Sequence, residues 1–194
     1  GLPPHHRVYV NKVRAGFDAT QRLLRIGHRR IGFAGMSGLV EGRPGLYDGY
    51  RAALLCAGTS PRKRYTMDFS TDEPEAAVAY ARRFLNAGNL PTAMLCKTDA
   101  LALAFLKVAE EVGVDVPGDL SVVGFNDLPE AARANPPLTT IASPRRLLGK
   151  TAVELLLSVT ERHPSDPQRR MLDCHLRLRE STAPPQKKPA DPIV

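Results

Sequence analysis

The stretch PTAMLCKTDALALAFLKVAEEVGVDVPGDLSVVGFNDLP, residues 91–129, carries a whole strand–helix–strand unit in its pattern. Thr92 to Cys96 is a short apolar run of strand length. Asp99 then stands where a helix N-cap is expected, and the helix reaches Val112 before Gly113 stops it. Leu120 to Phe125 is a second continuous apolar run, as expected of a strand buried on both faces. Two such strands joined by a helix are parallel neighbours, since parallel pairing needs a crossover of this length.

The same alternation extends in both directions. Upstream, Arg7 to Val10 reads as a strand, and Ala15 to Ile26 as a helix that places Phe17, Leu23, Leu24 and Ile26 at near-helical spacing before Gly27. Arg30 to Ala34 is a strand, followed by the glycine-bearing loop Gly35 to Gly45 and a helix from Leu46 to Ala57. A strand near Tyr65 to Phe69 precedes a helix over Pro74 to Asn86, with Asp72, Glu73 and Glu75 crowding its first turn, where the helix dipole favours them. Downstream, Pro136 and Pro137 lead into an extended Leu138 to Ala142, a helix of Arg145 to Val159, and a last strand Arg170 to Arg179. The fold class is therefore α/β, a parallel sheet flanked by helices. In such sheets ligands bind beyond the carboxyl ends of the strands, here Met36 to Gly38, Phe69 to Thr71, Lys97 to Asp99 and Asn126 to Leu128.

The 194 residues are 43% hydrophobic and 24% charged, which is the composition of an ordinary globular protein. No apolar stretch approaches the roughly 20 residues of a membrane span, so no membrane partner is expected. Cys56, Cys96 and Cys174 have neither a C-x-x-C pair nor histidines at zinc-ligand spacing, and read as small buried hydrophobes in a reducing, cytoplasmic compartment. The net charge of +7 is concentrated in residues 1–30, where seven arginines and lysines face only Asp18. No aromatic interleaving accompanies them, so they read as a solvated face. Catalytic motifs fail: Leu148-Gly149-Lys150-Thr151 resembles the end of a P-loop, but the required earlier glycine is Pro144. No G-x-S-x-G, H-E-x-x-H or G-x-G-x-x-G occurs, which points away from an enzyme and from any cofactor. His28 is expected to meet the last-turn carbonyls of the helix before it.

Seven phrases in order carry a resemblance: IGHRRIGFAG (26–35), LYDGYRAAL (46–54), PTAMLCKTDALAL (91–103), VPGDLSVVGFNDLP (116–129), NPPLTTIASP (135–144), LGKTAVELLL (148–157) and LRLREST (176–182). They are similar to bacterial transcription regulators of the lactose-repressor/galactose-repressor (LacI/GalR) type, over about residues 8–184. The resemblance implies a periplasmic-binding-protein-like effector domain of two lobes joined by three crossings. On that scheme residues 1–28 are a remnant of the N-terminal lobe and 29–142 the C-terminal lobe. Residues 143–172 return to the N-terminal lobe, 173–183 form the final strand, and 184–194 a disordered tail or one laid along the surface. The DNA-reading headpiece would lie in a part of the protein preceding this chain. Implied partners are a small-molecule effector, sugar-like or a related metabolite, and a second copy of the chain. The dimer would use the helix 99–112, whose residues 100–106 read as apolar on every side for two turns. A secreted solute-binding protein of a transporter shares this fold and is the alternative.

The resemblance also implies site residues. Asn126 falls where an aspartate is common, Thr98 where an asparagine is common, and Phe69 where an aromatic ring stacks on the ligand. Leu46 falls where many members have an arginine, and Arg43, three residues earlier, either reaches the same space or stays solvated. Asp99 is either a helix cap or a ligand contact. Lys97 either answers an anionic effector or remains solvated.

Overall fold

A computed structural model describes residues 6–35, 44–69, 73–162 and 166–186. The elements run in the order β1 (Arg7–Val10), α1 (Lys12–Arg25), β2 (Ile31–Ala34), α2 (Leu46–Cys56), β3 (Thr66–Met67) and α3 (Pro74–Leu85). They continue with β4 (Ala93–Cys96), α4 (Asp99–Val112), β5 (Ser121–Phe125), the short α5 (Pro129–Arg133) and β6 (Thr139–Ala142). The last three are α6 (Arg145–Arg162), β7 (Arg169–Leu172) and β8 (His175–Arg177).

Six strands form the main sheet in the order β3-β2-β4-β5-β6-β8. The first five are mutually parallel, and β8 runs antiparallel at the edge beside β6. Alternation along β4 divides the core in two. Met94 and Cys96 join Val122, Phe84, Leu101 and Phe105 under α3 and α4, while Ala93 and Leu95 join Ile31, Phe33, Val123, Phe125 and Ile141 under α1 and α2. Every residue of β2, β4 and β5 is buried, which is why these strands read as unbroken apolar runs.

Local signals explain the helix limits. The side chain of Asn11 accepts from the amide of Arg14 to open α1, whose buried Ala15, Ala19 and Leu23 recur every four residues. Helix α4 is capped by Thr98, not by Asp99, because the Thr98 hydroxyl accepts from the amide of Leu101 at 3.2 Å. Gly113, at φ +75°, ends it.

Four further expectations are corrected. The final strand 170–179 is two strands: β7 pairs in parallel with β1 in a separate two-stranded sheet, and β8 joins the main sheet. Helix α1, placed in the N-terminal lobe by the sequence reading, shares its core with β2, β4 and β5. Most apolar residues of α4 are buried within the chain, leaving Ala100 exposed and Leu103 and Val112 half-buried. Four exposed apolar side chains gather instead on α6, at Leu147, Val153, Leu156 and Leu157, with Tyr9, Leu55, Met171 and Leu178 exposed elsewhere among the described residues. Of the cysteines only Cys96 is buried; Cys56 is exposed and Cys174 half-buried.

The His28 amide meets the last turn of α1 as expected, donating to Leu23 O at 3.1 Å, whereas its fully buried side chain turns away from that helix; the Arg29 guanidinium adds a bond to Leu24 O at 2.9 Å. The His28 Nδ1 lies 2.9 Å from Thr92 Oγ1 and its Nε2 2.9 Å from the carbonyl of Ala183. A carbonyl only accepts, so Nε2 carries the proton of the neutral ring and Nδ1 is the acceptor that faces Thr92, whose hydroxyl also lies 3.2 Å from Arg30 O. Ser121 and Ser181 add further bonds, so residues 181–183 form a strap across the amino edge of the sheet. No helix among the described residues is long and apolar enough to cross a membrane.

Candidate functional site

The chain enters the main sheet at β2, steps outward to β3, and crosses back to β4 on the other side of β2. In open α/β sheets such a reversal marks the crevice where ligands bind, which here falls above the carboxyl ends of β2 and β4. Backbone bonds knit that edge together: Lys97 N donates to Ala34 O at 2.8 Å, Gly35 N to Met67 O at 3.3 Å, and Phe69 N to Gly35 O at 3.2 Å.

Because β3, β4 and β5 are parallel, Phe69, Thr98 and Asn126 all stand at this one edge. Phe69 is only 7% exposed; its ring lies 4.9 Å from that of Tyr80 and 5.2 Å from the Lys97 ammonium. The ring therefore contributes to the core under α3 as well as to the edge. Asn126 follows β5 at φ +117°, with its amide donating to Ile141 O at 2.9 Å. Thr98 spends an oxygen lone pair on capping α4 and retains its hydroxyl proton.

Two candidates leave the edge. Leu46 is buried in the cluster formed by Leu23, Phe33 and Tyr50, where its side chain packs against the core. Asp99 is fully buried; Oδ1 accepts from Thr140 Oγ1 at 2.5 Å and Oδ2 from Leu128 N at 2.7 Å. Burial pushes its carboxyl above the usual range, against the pull of those two bonds. It thus supports the loop after β5 from below. Arg43, Met36 to Gly38 and Ser70 to Thr71 lie outside the described residues.

Sequence reasoning placed Asp127 within the edge segment Asn126 to Leu128 but gave it no role of its own. It sits at φ +54° beside Asn126, and its carboxylate meets Arg179 at 2.6 Å and Arg177 at 3.2 Å. The signal was present: an Asn-Asp pair directly after a buried strand is the pairing most tolerant of left-handed backbone.

Residues 20–182 match the family model of the periplasmic binding protein-like domain. The chain belongs to that family. Within it, the chain is 36% identical over 186 residues to the HTH-type transcriptional regulator CelR of Thermobifida fusca, covering 93% of this chain and 54% of CelR. It is 35% identical to the HTH-type transcriptional repressor CytR of Escherichia coli, covering 90% and 51%. A solved transcriptional regulator CelR-cellobiose complex superposes with a TM-score of 0.83 at 34% identity, covering 92% of this chain and 54% of that one. The dimeric Lac repressor with an 11-residue C-terminal deletion superposes at 0.82 with 28% identity, covering 95% and 66%. These relatives are transcriptional regulators of the LacI type, and the chain matches their effector-binding part. It spans about half the length of the curated relatives it matches.

Proposed function

We propose that this periplasmic binding protein-like chain is the effector-sensing part of a cytoplasmic transcriptional regulator, that it is not an enzyme, and that it holds a small carbohydrate or related metabolite at the carboxyl edge of its main sheet. The observation that carries the reading is the convergence of Phe69, Thr98 and Asn126 beside the β2/β4 crevice. Asn126 supplies both a donor and an acceptor where an aspartate would supply acceptors only, so neutral hydrogen bonds replace a charged clamp. The regulator reading is favoured over a transporter's solute-binding protein because the relatives are regulators and one of them was solved with cellobiose.

The two sheets are the two lobes in this proposal. β1, β7 and α6 belong to one, the six-stranded sheet and α1 to the other. The chain crosses between them at Asn11, at 143–144 and at 173–174. Asn11 N donates to Leu172 O at 2.9 Å, so two crossings run side by side. Ligand closure of one lobe on the other would then change the relative placement of paired subunits and of the DNA-reading part of the whole protein.

The test is thermal stabilisation by a panel of mono- and disaccharides that includes cellobiose. At least one sugar should raise Tm, and the rise should shrink in Asn126→Gly and Phe69→Leu. Glycine fits the left-handed backbone that alanine would strain, and leucine limits the cavity that alanine would leave. Each change should weaken binding about two- to tenfold, the worth of one neutral hydrogen bond or ring contact. A panel without effect, or a rise unchanged in both variants, contradicts the proposal.

A further inference from the structure

Asn126 and Asp127 are two consecutive non-glycine residues at positive φ, +117° and +54°. Such backbone persists only where its surroundings impose it. Here Asp127 is held at every polar atom. Its Oδ1 accepts from Arg179 Nη2 at 2.6 Å and its Oδ2 lies 3.2 Å from Arg177 Nε. Its carbonyl accepts from Arg145 Nη2 at 3.2 Å, and its amide faces Thr140 Oγ1 at 3.4 Å. Arg179 is a bridge, since its Nη1 donates to Leu138 O at 2.7 Å. The Asp127 and Arg179 side chains are 20% and 15% exposed, whereas that of Arg177 is 62% exposed. The shielded pair therefore carries most of the interaction.

The origin of these partners matters as much as their distance. Arg145 opens α6, directly after the chain leaves β6. Arg177 and Arg179 lie at and beyond the end of β8, directly after the chain returns from β7. Asp127 is thus joined at once to the segment that departs toward the smaller sheet and to the one that comes back from it.

We infer that Asp127 is a positioning residue: it holds Asn126 in its left-handed conformation and fastens the ligand-facing loop to the two chain segments that connect with β7 and α6. The inference rests on the proposed ligand edge and adds its route of regulation. A ligand that draws Asn126 into the crevice must move Asp127, and with it the contacts to Arg145, Arg177 and Arg179. Occupancy then reaches the second sheet through ion pairs and hydrogen bonds rather than through the buried β strands.

Amide hydrogen exchange on the protein without ligand tests this in Asp127→Asn, which keeps the shape and the tolerance of left-handed backbone but removes the charge. Exchange should accelerate about tenfold at 126–128, the scale of one charge-assisted bond, with a parallel rise at 143–145 and 175–179. Strand β4 and helices α3 and α4 should remain unchanged. Arg179→Lys keeps the charge without the planar fork and should give a smaller rise in the same three segments. A residue that merely stabilised the fold would not produce this pattern of separate segments loosening together. Acceleration confined to 126–128, spread over the whole sheet, or absent in both variants would overturn the inference. No ligand enters the measurement, so its outcome is independent of whether the sugar panel succeeds.

Discussion

At the scale of single residues, His28 is a buried titratable group whose neutral form is part of the fold. Burial lowers its pKa below the ordinary 6.5, against the hydrogen bond to Ala183. The unfolded chain therefore takes up the proton first as pH falls, and stability drops below about pH 6.5. Urea midpoints measured from pH 8 to pH 5.5 should fall in the native sequence and fall less in His28→Gln, whose amide can still donate to the Ala183 carbonyl. Equal slopes would contradict this. The Tyr50 hydroxyl, buried and donating to Ile31 O at 2.8 Å, marks a second such position. Tyr50→Phe should cost about 1 kcal/mol in chemical denaturation, since it leaves a buried carbonyl unpaired; no measurable loss would mean that this carbonyl finds another donor. These roles were not legible beforehand. GHRR gives the residues but not the strap 181–183 that closes over them. Asp99, an obvious helix-start residue, turned out to be spent on Thr140 and Leu128, which lie 41 and 29 positions away in sequence.

At the scale of elements, α1 and α2 meet through glycine. A methyl group on Gly49 would stand 1.9 Å from the Val13 carbonyl oxygen, and one on Gly16 would stand 2.2 Å from that of Leu46. In an isolated helix Gly→Ala stabilises by about 1 kcal/mol. Here backbone blocks the space, so Gly49→Ala should destabilise by about 2 kcal/mol or more. A thermal or urea melt that shows stabilisation would disprove the close crossing. Helix α6 presents the opposite case. Leu156 and Leu157 are 64% and 57% exposed, so replacing both with glutamate should leave the melting temperature within a few degrees and lower any concentration-dependent association seen by sedimentation. A large fall in stability would show that the face is covered within the chain. The central elements were legible because their strands are buried on both faces and their helices end at Gly58 and Gly113. The segment 169–179 was not. One run of strand-forming residues can serve two sheets, and only the pairing with β1 and β6 reveals the break at Asp173 and Cys174.

At the scale of the whole molecule, a parallel sheet with a reversal between β2 and β4 brings residues far apart in sequence to one edge, and the smaller sheet is tied to that edge through chain crossings. Strand alternation alone predicted the edge, since any parallel sheet aligns its carboxyl ends. The order of strands, and hence which loops are neighbours, required the tertiary structure. The opposite edge also has a depression, lined by Arg30, Asn89, Thr92, Gly118 and Gln186, and it provides an internal control. The decisive measurement is amide chemical-shift mapping during titration with the sugars of the panel, cellobiose among them. The account predicts that shifts cluster at Gly35, at Lys97 and Thr98, and at Asn126 to Leu128. Shifts centred on Arg30, Asn89 and Gly118, or none with any sugar, would contradict it.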